Sequence, residues 1–114
     1  MSHTCRCVPV RVAGALWVTD HGFRQGHGLL IAYAQRPRPG DETLTVDAEH
    51  VVRLAWLVRM VAVSGLFPPA IGDVSVEPDG RNMRIVSRGQ RLLIQAADVD
   101  ALDGVLARLV GVYS

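Results

Sequence analysis

The chain has 114 residues, of which 49% are hydrophobic and 20% are charged, and its formal net charge is +1. This length fits one domain with one core, and the composition is typical of a globular rather than a disordered protein. A net charge so close to zero gives no general field that would attract nucleic acid or an anionic membrane, so neither partner is expected.

The N-terminal segment, residues 1–9, is predicted to be flexible, and residues 10–114 are predicted to form a single α+β domain. Arg6 and Arg11 interrupt the apolar run that a secretory signal needs, so we expect a cytoplasmic protein. Cys5 and Cys7 are too close for an unstrained disulfide and are expected to be reduced. All 12 basic residues are arginine, which indicates a GC-rich bacterial genome.

Two strands are expected in the first third of the chain. Residues 10–19 alternate apolar side chains on both sides, and residues 29–36 form a second strand. Between them, residues 20–28 are rich in turn formers and close a hairpin. Residues 36–41, RPRPGD, are predicted to be a loop because two prolines and a glycine suit neither a ladder nor a helix.

The longest helical pattern covers residues 47–65, DAEHVVRLAWLVRMVAVSG. Asp47 is placed to cap the first-turn amides, and Gly65 is placed to end the helix in the left-handed conformation. One broad face of this helix is apolar and is expected to be buried. It consists of Val51, Leu54, Ala55, Leu57, Val58, Val61 and Ala62.

The opposite arc of the helix mixes apolar side chains with charged ones. A helix that is apolar on nearly all sides is usually covered on both, either by loops of its own chain or by another protein. The arginines in this arc argue against a membrane span. The candidate partner interface therefore consists of Arg53, Trp56, Arg59, Met60 and Val63.

The last third of the chain predicts a three-stranded meander and a closing helix. The strands cover residues 73–77, 83–87 and 91–96, with turns between them. The helix begins at Asp98 or Asp100, has apolar residues at three- and four-residue spacing, and ends at Gly111. The expected order ββ-α-βββ-α is an α+β domain with one five-stranded antiparallel sheet and two helices.

The sequence contains no motif for phosphate binding, zinc proteolysis or serine hydrolysis, so we predict a protein that is not an enzyme and needs no cofactor. If it were an enzyme, the turn from His21 to His27 would be its site. The best metal ligands by residue type are Cys5, Cys7, His21 and His27, with His3 as a fifth. Their spacing differs from the CxxC pairs of structural zinc sites, so unpaired polar residues are the competing interpretation.

Two charged clusters have simpler interpretations than ligand binding. One resembles part of a calcium loop but lacks the glycine at its sixth position, so helix capping accounts for Asp98, Asp100 and Asp103. The other lies on the second hairpin without interleaved aromatic residues that could stack on bases, so a solvated strand face is favoured over nucleic-acid contact. It consists of Arg81, Arg84, Arg88 and Arg91.

The order of hairpin, long helix, meander and terminal helix resembles the roadblock and dynein light-chain domain, which includes bacterial MglB-like proteins. The likeness is carried by AGALWVTDHG, by DAEHVVRLAWLVRMVAVSG, and by DVSVEPDG, NMRIVSRG and RLLIQAADVDALDGVLARLV. It covers residues 12–112. The helix that opens roadblock domains has no counterpart in MSHTCRCVPVR.

The resemblance implies a roadblock/longin-like homodimer that forms by sheet extension and helix contacts. It also implies a platform for a small Ras-like GTPase, with no active site of its own. The first hypothesis is therefore a non-enzymatic dimeric adaptor or GTPase regulator. The alternative is a monomeric inhibitor or immunity-type protein that blocks a toxin or nuclease, although the acidic patch frequent in such proteins is not obvious here.

Overall fold

The structure is a computed structural model that describes residues 8–33 and 43–111. Seven strands and two helices lie in this part of the chain. Their bounds are β1 (Val8–Ala13), β2 (Leu16–Asp20), β3 (Leu29–Tyr33), β4 (Leu44–Val46), α1 (Ala48–Ser64), β5 (Val74–Asp79), β6 (Asn82–Ser87), β7 (Gln90–Ile94) and α2 (Val99–Val110). Single 3-10 turns occupy Phe23–Gln25 and Ala96–Asp98.

The strands form two antiparallel sheets, with orders β1-β2-β3-β4 and β5-β6-β7. The α+β class and the three-stranded meander are therefore confirmed. The single five-stranded sheet is wrong, as is the order ββ-α-βββ-α, because four strands rather than two precede α1. Residues 36–41, predicted as a loop, lie outside the described residues, as do residues 1–7 of the predicted flexible segment, whereas Val8 and Pro9 belong to β1.

The first predicted strand is in fact a hairpin. Gly14 has a left-handed φ of +53° and turns the chain, so that Val10 pairs with Val18 and Arg11 pairs with Trp17. Glycine adopts this conformation without the steric cost that a Cβ brings. The alternation of apolar residues runs on through the turn, so the pattern alone did not show the break. Strand β4 was missed because it has only three residues.

The two sheets meet at β4, which contacts both β6 and β7. The amide of Thr45 donates a hydrogen bond to Oε1 of Gln90 at 2.8 Å, which ties the edges together. Helices α1 and α2 pack against each other, and alternate strand side chains join their inner faces in one core. No helix in the described parts of the chain is both long enough and apolar enough to cross a bilayer.

Both helices end where the sequence indicated. Gly65 follows α1 with a φ of +72° and its amide donates to the carbonyl of Val61, and Gly111 has the same role after α2. The predicted capping by aspartate is wrong in its chemistry, because neither Asp47 nor Asp98 accepts a capping hydrogen bond through its side chain. Asp47 instead pairs with Arg88, and Asp98 accepts a hydrogen bond from Tyr33.

The predicted inner face of α1 is mostly buried. Val51, Leu54, Leu57 and Val58 are fully buried and Ala55 nearly so, while Val61 and Ala62 are partly buried. Burial of each Leu or Val side chain contributes about 1.5–3 kcal/mol, so this face anchors the helix to the core. The helix needs no residue of its opposite arc for this anchoring.

Candidate functional site

The outer face of α1 consists of Val52, Arg53, Trp56, Arg59, Met60 and Val63, which follow one another at intervals that place them on one side of the helix. Three apolar side chains dominate it: Val52 is 55% exposed, Trp56 is 49% exposed and Val63 is 75% exposed. Aromatic residues are enriched at interfaces because they bring large contact area at low cost in conformational entropy. This face therefore has the composition of a contact surface.

A pocket of about 140 Å³ opens beside Trp56 between the two helices. Its lining residues are Val52, Ala55, Trp56, Arg59, Asp103 and Ala107. The side chains of Ala55 and Ala107 are buried, one on each helix, and their small size leaves this space. A half-exposed aromatic side chain and an apolar recess thus lie on the same surface.

An ion pair joins the two helices at this pocket. Nε of Arg59 donates to both carboxylate oxygens of Asp103, at 2.8 Å to Oδ1 and 3.1 Å to Oδ2. The side chains are 33% and 16% exposed, respectively. A partly exposed pair contributes little stability, about 0.2–1 kcal/mol, so its main effect is to fix both side chains at one wall of the pocket.

The sequence prediction named five of the six residues on this face and missed Val52. The signal was available, because Val52 lies four residues before Trp56 and side chains at that spacing are neighbours on a helix. Leu66, which is 69% exposed just after α1, was also missed. Val52 enlarges the apolar surface of this face, and Leu66 adds an exposed apolar side chain just after the helix.

The structure describes only two of the predicted metal ligands, His21 and His27. Cys5, Cys7 and His3 lie outside the described residues, within which His21 and His27 belong to no group of three ligand-bearing side chains. Their loop is held by its own hydrogen bonds. Oδ1 of Asp20 accepts from the amides of Gly22 and Phe23 at 2.9 and 2.8 Å, and the amide of His21 donates to the carbonyl of Gly28 at 3.0 Å.

A different group of potential ligands does come together at the start of α1. One ligand atom from each of Asp47, Glu49 and His50 lies within 4.8 Å of the others. His50 is only 6% exposed, and its Nδ1 is buried without a hydrogen-bond partner. Sequence reasoning assigned no role to His50, although it follows Asp47 by three residues, a spacing that makes side chains neighbours at a helix start.

Four residues of the two charged clusters in the sequence have separate partners. Arg84 pairs with Asp79, and Nη1 of Arg88 lies 2.7 Å from Oδ2 of Asp47. Asp98 binds Tyr33 and Asp103 binds Arg59, so the calcium-loop acids engage different elements. These contacts give Asp98 and Asp103 partners within the chain.

Tyr33 links the end of β3 to the start of α2. Its hydroxyl donates to Oδ2 of Asp98 at 2.9 Å and accepts from the amide of Gln95 at 3.1 Å. Burial raises the pKa of Tyr33 to about 12, Asp98 acts in the same direction, and the Gln95 amide opposes both. The phenol is thus held in its neutral form by contacts that position α2.

A second cavity, of about 280 Å³, lies between the end of α1 and the start of α2. Its polar lining includes Arg81, Asn82 and Asp100, and the amide of Ala96 donates to Oδ1 of Asn82 at 3.0 Å. Arg81 and Asp100 carry opposite charges, so the lining favours neither an anionic nor a cationic ligand. This cavity therefore offers no clear ligand chemistry.

Comparisons of this chain with protein-family models, with curated proteins and with solved structures find no match. The functional argument therefore rests on the surface and its chemistry.

Proposed function

We propose that this protein is a non-enzymatic adaptor that forms a homodimer through the outer face of α1. The observation that supports the proposal is Trp56, half exposed beside a pocket on its own surface. A two-fold symmetric interface uses the same patch on both subunits, so a projecting side chain and a recess must occur together on that patch. Trp56 of each copy would enter the pocket of the other.

We propose further that the two-fold axis is perpendicular to α1, so that the two α1 helices run antiparallel. With the two-fold axis near Trp56, Val52 lies opposite Met60 of the second copy, and Arg53 lies opposite Arg59 of the second copy. The arginines would repel one another unless their charge is compensated. Asp103, which binds Nε of Arg59 in each subunit, supplies that compensation.

The size of the surface sets a further requirement. A stable interface buries about 800 Å² of each partner. Helix α1 has 17 residues and is therefore about 25 Å long, so its outer face supplies only part of that area. In the proposed dimer the surface of α2 beside the pocket supplies more, including the partly exposed Gly104 and the exposed Arg108.

The test compares the mass in solution of the wild-type chain with that of Trp56→Glu, by light scattering over a range of concentrations. The wild type is expected to be a dimer, and Trp56→Glu to be a folded monomer because a carboxylate cannot be buried in an apolar pocket. Thr45→Glu is the matched control. It adds the same charge at an exposed position of β4, where the neighbouring Leu44 and Val46 face the core.

A wild-type chain that is monomeric at every concentration would contradict the proposed dimer, as would a Trp56→Glu variant that remains dimeric. A monomer would favour the inhibitor or immunity-type alternative, in which the same face binds a toxin or nuclease. No observation in the described residues favours that alternative over the dimer.

The identity of the adaptor's partner rests on the roadblock resemblance alone. We propose on that basis a small Ras-like GTPase and retain the cytoplasmic location expected from the sequence. The measurement is binding of a purified Ras-like GTPase, loaded with GDP or with a GTP analogue, to the immobilised protein. A regulator is expected to distinguish the two nucleotide states, and equal or absent binding of both would contradict this assignment.

A further inference from the structure

The start of α1 has a second feature that the proposed dimer does not use. Among the described residues, the group formed by Asp47, Glu49 and His50 is the one place where three side chains with metal-binding atoms lie within 4.8 Å of one another. Carboxylate oxygens and imidazole nitrogens are ligands that Zn²⁺ accepts together in proteins. The residue types therefore suit a divalent transition metal rather than Ca²⁺ or Mg²⁺, which prefer oxygen alone.

His50 gives independent reason to consider a ligand here. Its side chain is 94% buried, yet Nδ1 has no hydrogen-bond partner. Buried polar atoms are nearly always satisfied by a protein group, a water or an ion. One imidazole nitrogen of His50 lies near the two carboxylates, and its Nδ1 has no partner, so a cation bound to Nδ1 would satisfy a buried polar atom.

We propose that Asp47, Glu49 and His50 bind a divalent transition metal, with Zn²⁺ as the ion of best-matched ligand chemistry. Ligand atoms about 2.0 Å from a tetrahedral metal are about 3.3 Å apart, so the group must contract on binding. Glu49 is exposed and can change rotamer without loss of packing. Three protein ligands leave a fourth position for water.

Two sources of positive charge lie at this site and oppose binding of the metal. Arg88 lies 2.7 Å from Oδ2 of Asp47, and the amides of the helix start carry partial positive charge. The guanidinium and the metal therefore compete for the same carboxylate. Metal binding would displace Arg88, which lies in the turn between β6 and β7, and so couple occupancy of the site to the position of that turn.

The experiment is calorimetric titration of the full chain with ZnCl₂, in a background of Cys5→Ser and Cys7→Ser so that thiols do not compete. The background chain is expected to bind one equivalent. Arg88→Gln is expected to bind about two- to fivefold more tightly, because a partly exposed ion pair of this kind no longer occupies Asp47. Glu49→Gln is expected to weaken binding by at least about tenfold, since it removes a ligand.

Glu77→Gln is the matched control, because it makes the same exchange at an exposed position on β5 and should leave zinc binding unchanged. Glu49 is exposed, so its replacement is not expected to disturb folding, whereas replacement of the buried His50 could. No zinc binding by the Arg88→Gln variant would overturn the proposal. Equal affinities of the Glu49→Gln variant and the background chain would overturn it as well, independently of whether the protein is a dimer.

Discussion

Helices α1 and α2 lie side by side over one core, yet they present different surfaces to solvent. Their inner faces are alike, with Leu54 in α1 and Leu102 in α2 both fully buried. Outward, α2 exposes Asp100 and Arg108, as a surface helix normally does. Helix α1 exposes charged residues too, but it adds a tryptophan and two valines, Trp56, Val52 and Val63.

The difference between the two outer faces separates two properties of the protein, its folding and its association with another chain. Folding depends on the inner faces, which both helices share, whereas the outer face of α1 contributes little to burial of the core. Substitutions on the inner faces should therefore change the free energy of unfolding. Substitutions on the outer face of α1 should change association and leave the folded monomer nearly as stable as before.

The largest expected effect comes from truncation of the shared inner faces. Leu54→Ala and Leu102→Ala should each lower the free energy of unfolding by about 2–5 kcal/mol, because each removes buried methyl groups and leaves a cavity. Val63→Ala, at a position that is 75% exposed, should change it by no more than about 0.5 kcal/mol. Urea unfolding at low protein concentration, where association is weakest, is the measurement.

Equal losses in free energy of unfolding for Leu54→Ala and Leu102→Ala would show that the inner faces of the two helices are equivalent. The helices would then differ only in their outer faces. A loss below about 1 kcal/mol for either variant would contradict this equivalence. That helix would then not pack on the core as described.

The starts of the helices differ as well, and Tyr33→Phe tests the contacts at α2. Loss of the hydrogen bonds to Asp98 and Gln95 should lower the free energy of unfolding by about 1–2 kcal/mol. The start of α1 has no such phenol and instead relies on the exposed pair of Arg88 with Asp47. Urea unfolding of the wild type and of Tyr33→Phe measures this loss of stability.

The difference in free energy of unfolding between the wild type and Tyr33→Phe should depend on pH in a defined direction. The pKa of Tyr33 rises from 10.0 to about 12 in the folded protein, so the native state retains the proton that the unfolded chain loses. The stabilisation by Tyr33 is fully present below pH 10 and declines as the pH rises from 10 to about 12. The gap between wild type and Tyr33→Phe should narrow over that range, and a constant gap would contradict the raised pKa.

Much of each helix could be predicted from sequence, because its determinants are local. The spacing of apolar residues and the positions of Gly65 and Gly111 were enough to place both helices and their ends. The same local logic failed for Asp47 and Asp98. Each occupies the position before its helix as expected, but its carboxylate binds Arg88 or Tyr33, residues distant in the chain.

The strands show the same limit more clearly. The meander of β5, β6 and β7 was recognised from its own turns. The division into two sheets depends on β4, three residues whose partners are β3 on one side and the β6 and β7 region on the other. Likewise, the candidate interface was read from one helix, whereas the pocket beside it requires Asp103 and Ala107 from α2.

Among the variants expected to alter stability, the smallest effect concerns Gly104 in α2, for which α1 has no equivalent. A Cβ added there meets no atom within 4 Å. Gly104→Ala should therefore raise the free energy of unfolding by about 0.5–1 kcal/mol, chiefly because the unfolded chain loses conformational freedom. At Gly80 an added Cβ also meets no atom, but φ is +60°, so Gly80→Ala should instead cost about 1–2 kcal/mol.

Gly104→Ala also reports on the boundary of the proposed interface. Gly104 follows Asp103, which lines the pocket, so a methyl group there lies at the edge of the region that a second copy would cover. A gain in monomer stability with unchanged dimer mass would place α2 at the rim of the contact and α1 at its centre. A gain in monomer stability with weaker association would place Gly104 inside the contact, and α2 would then share the centre of the interface with α1.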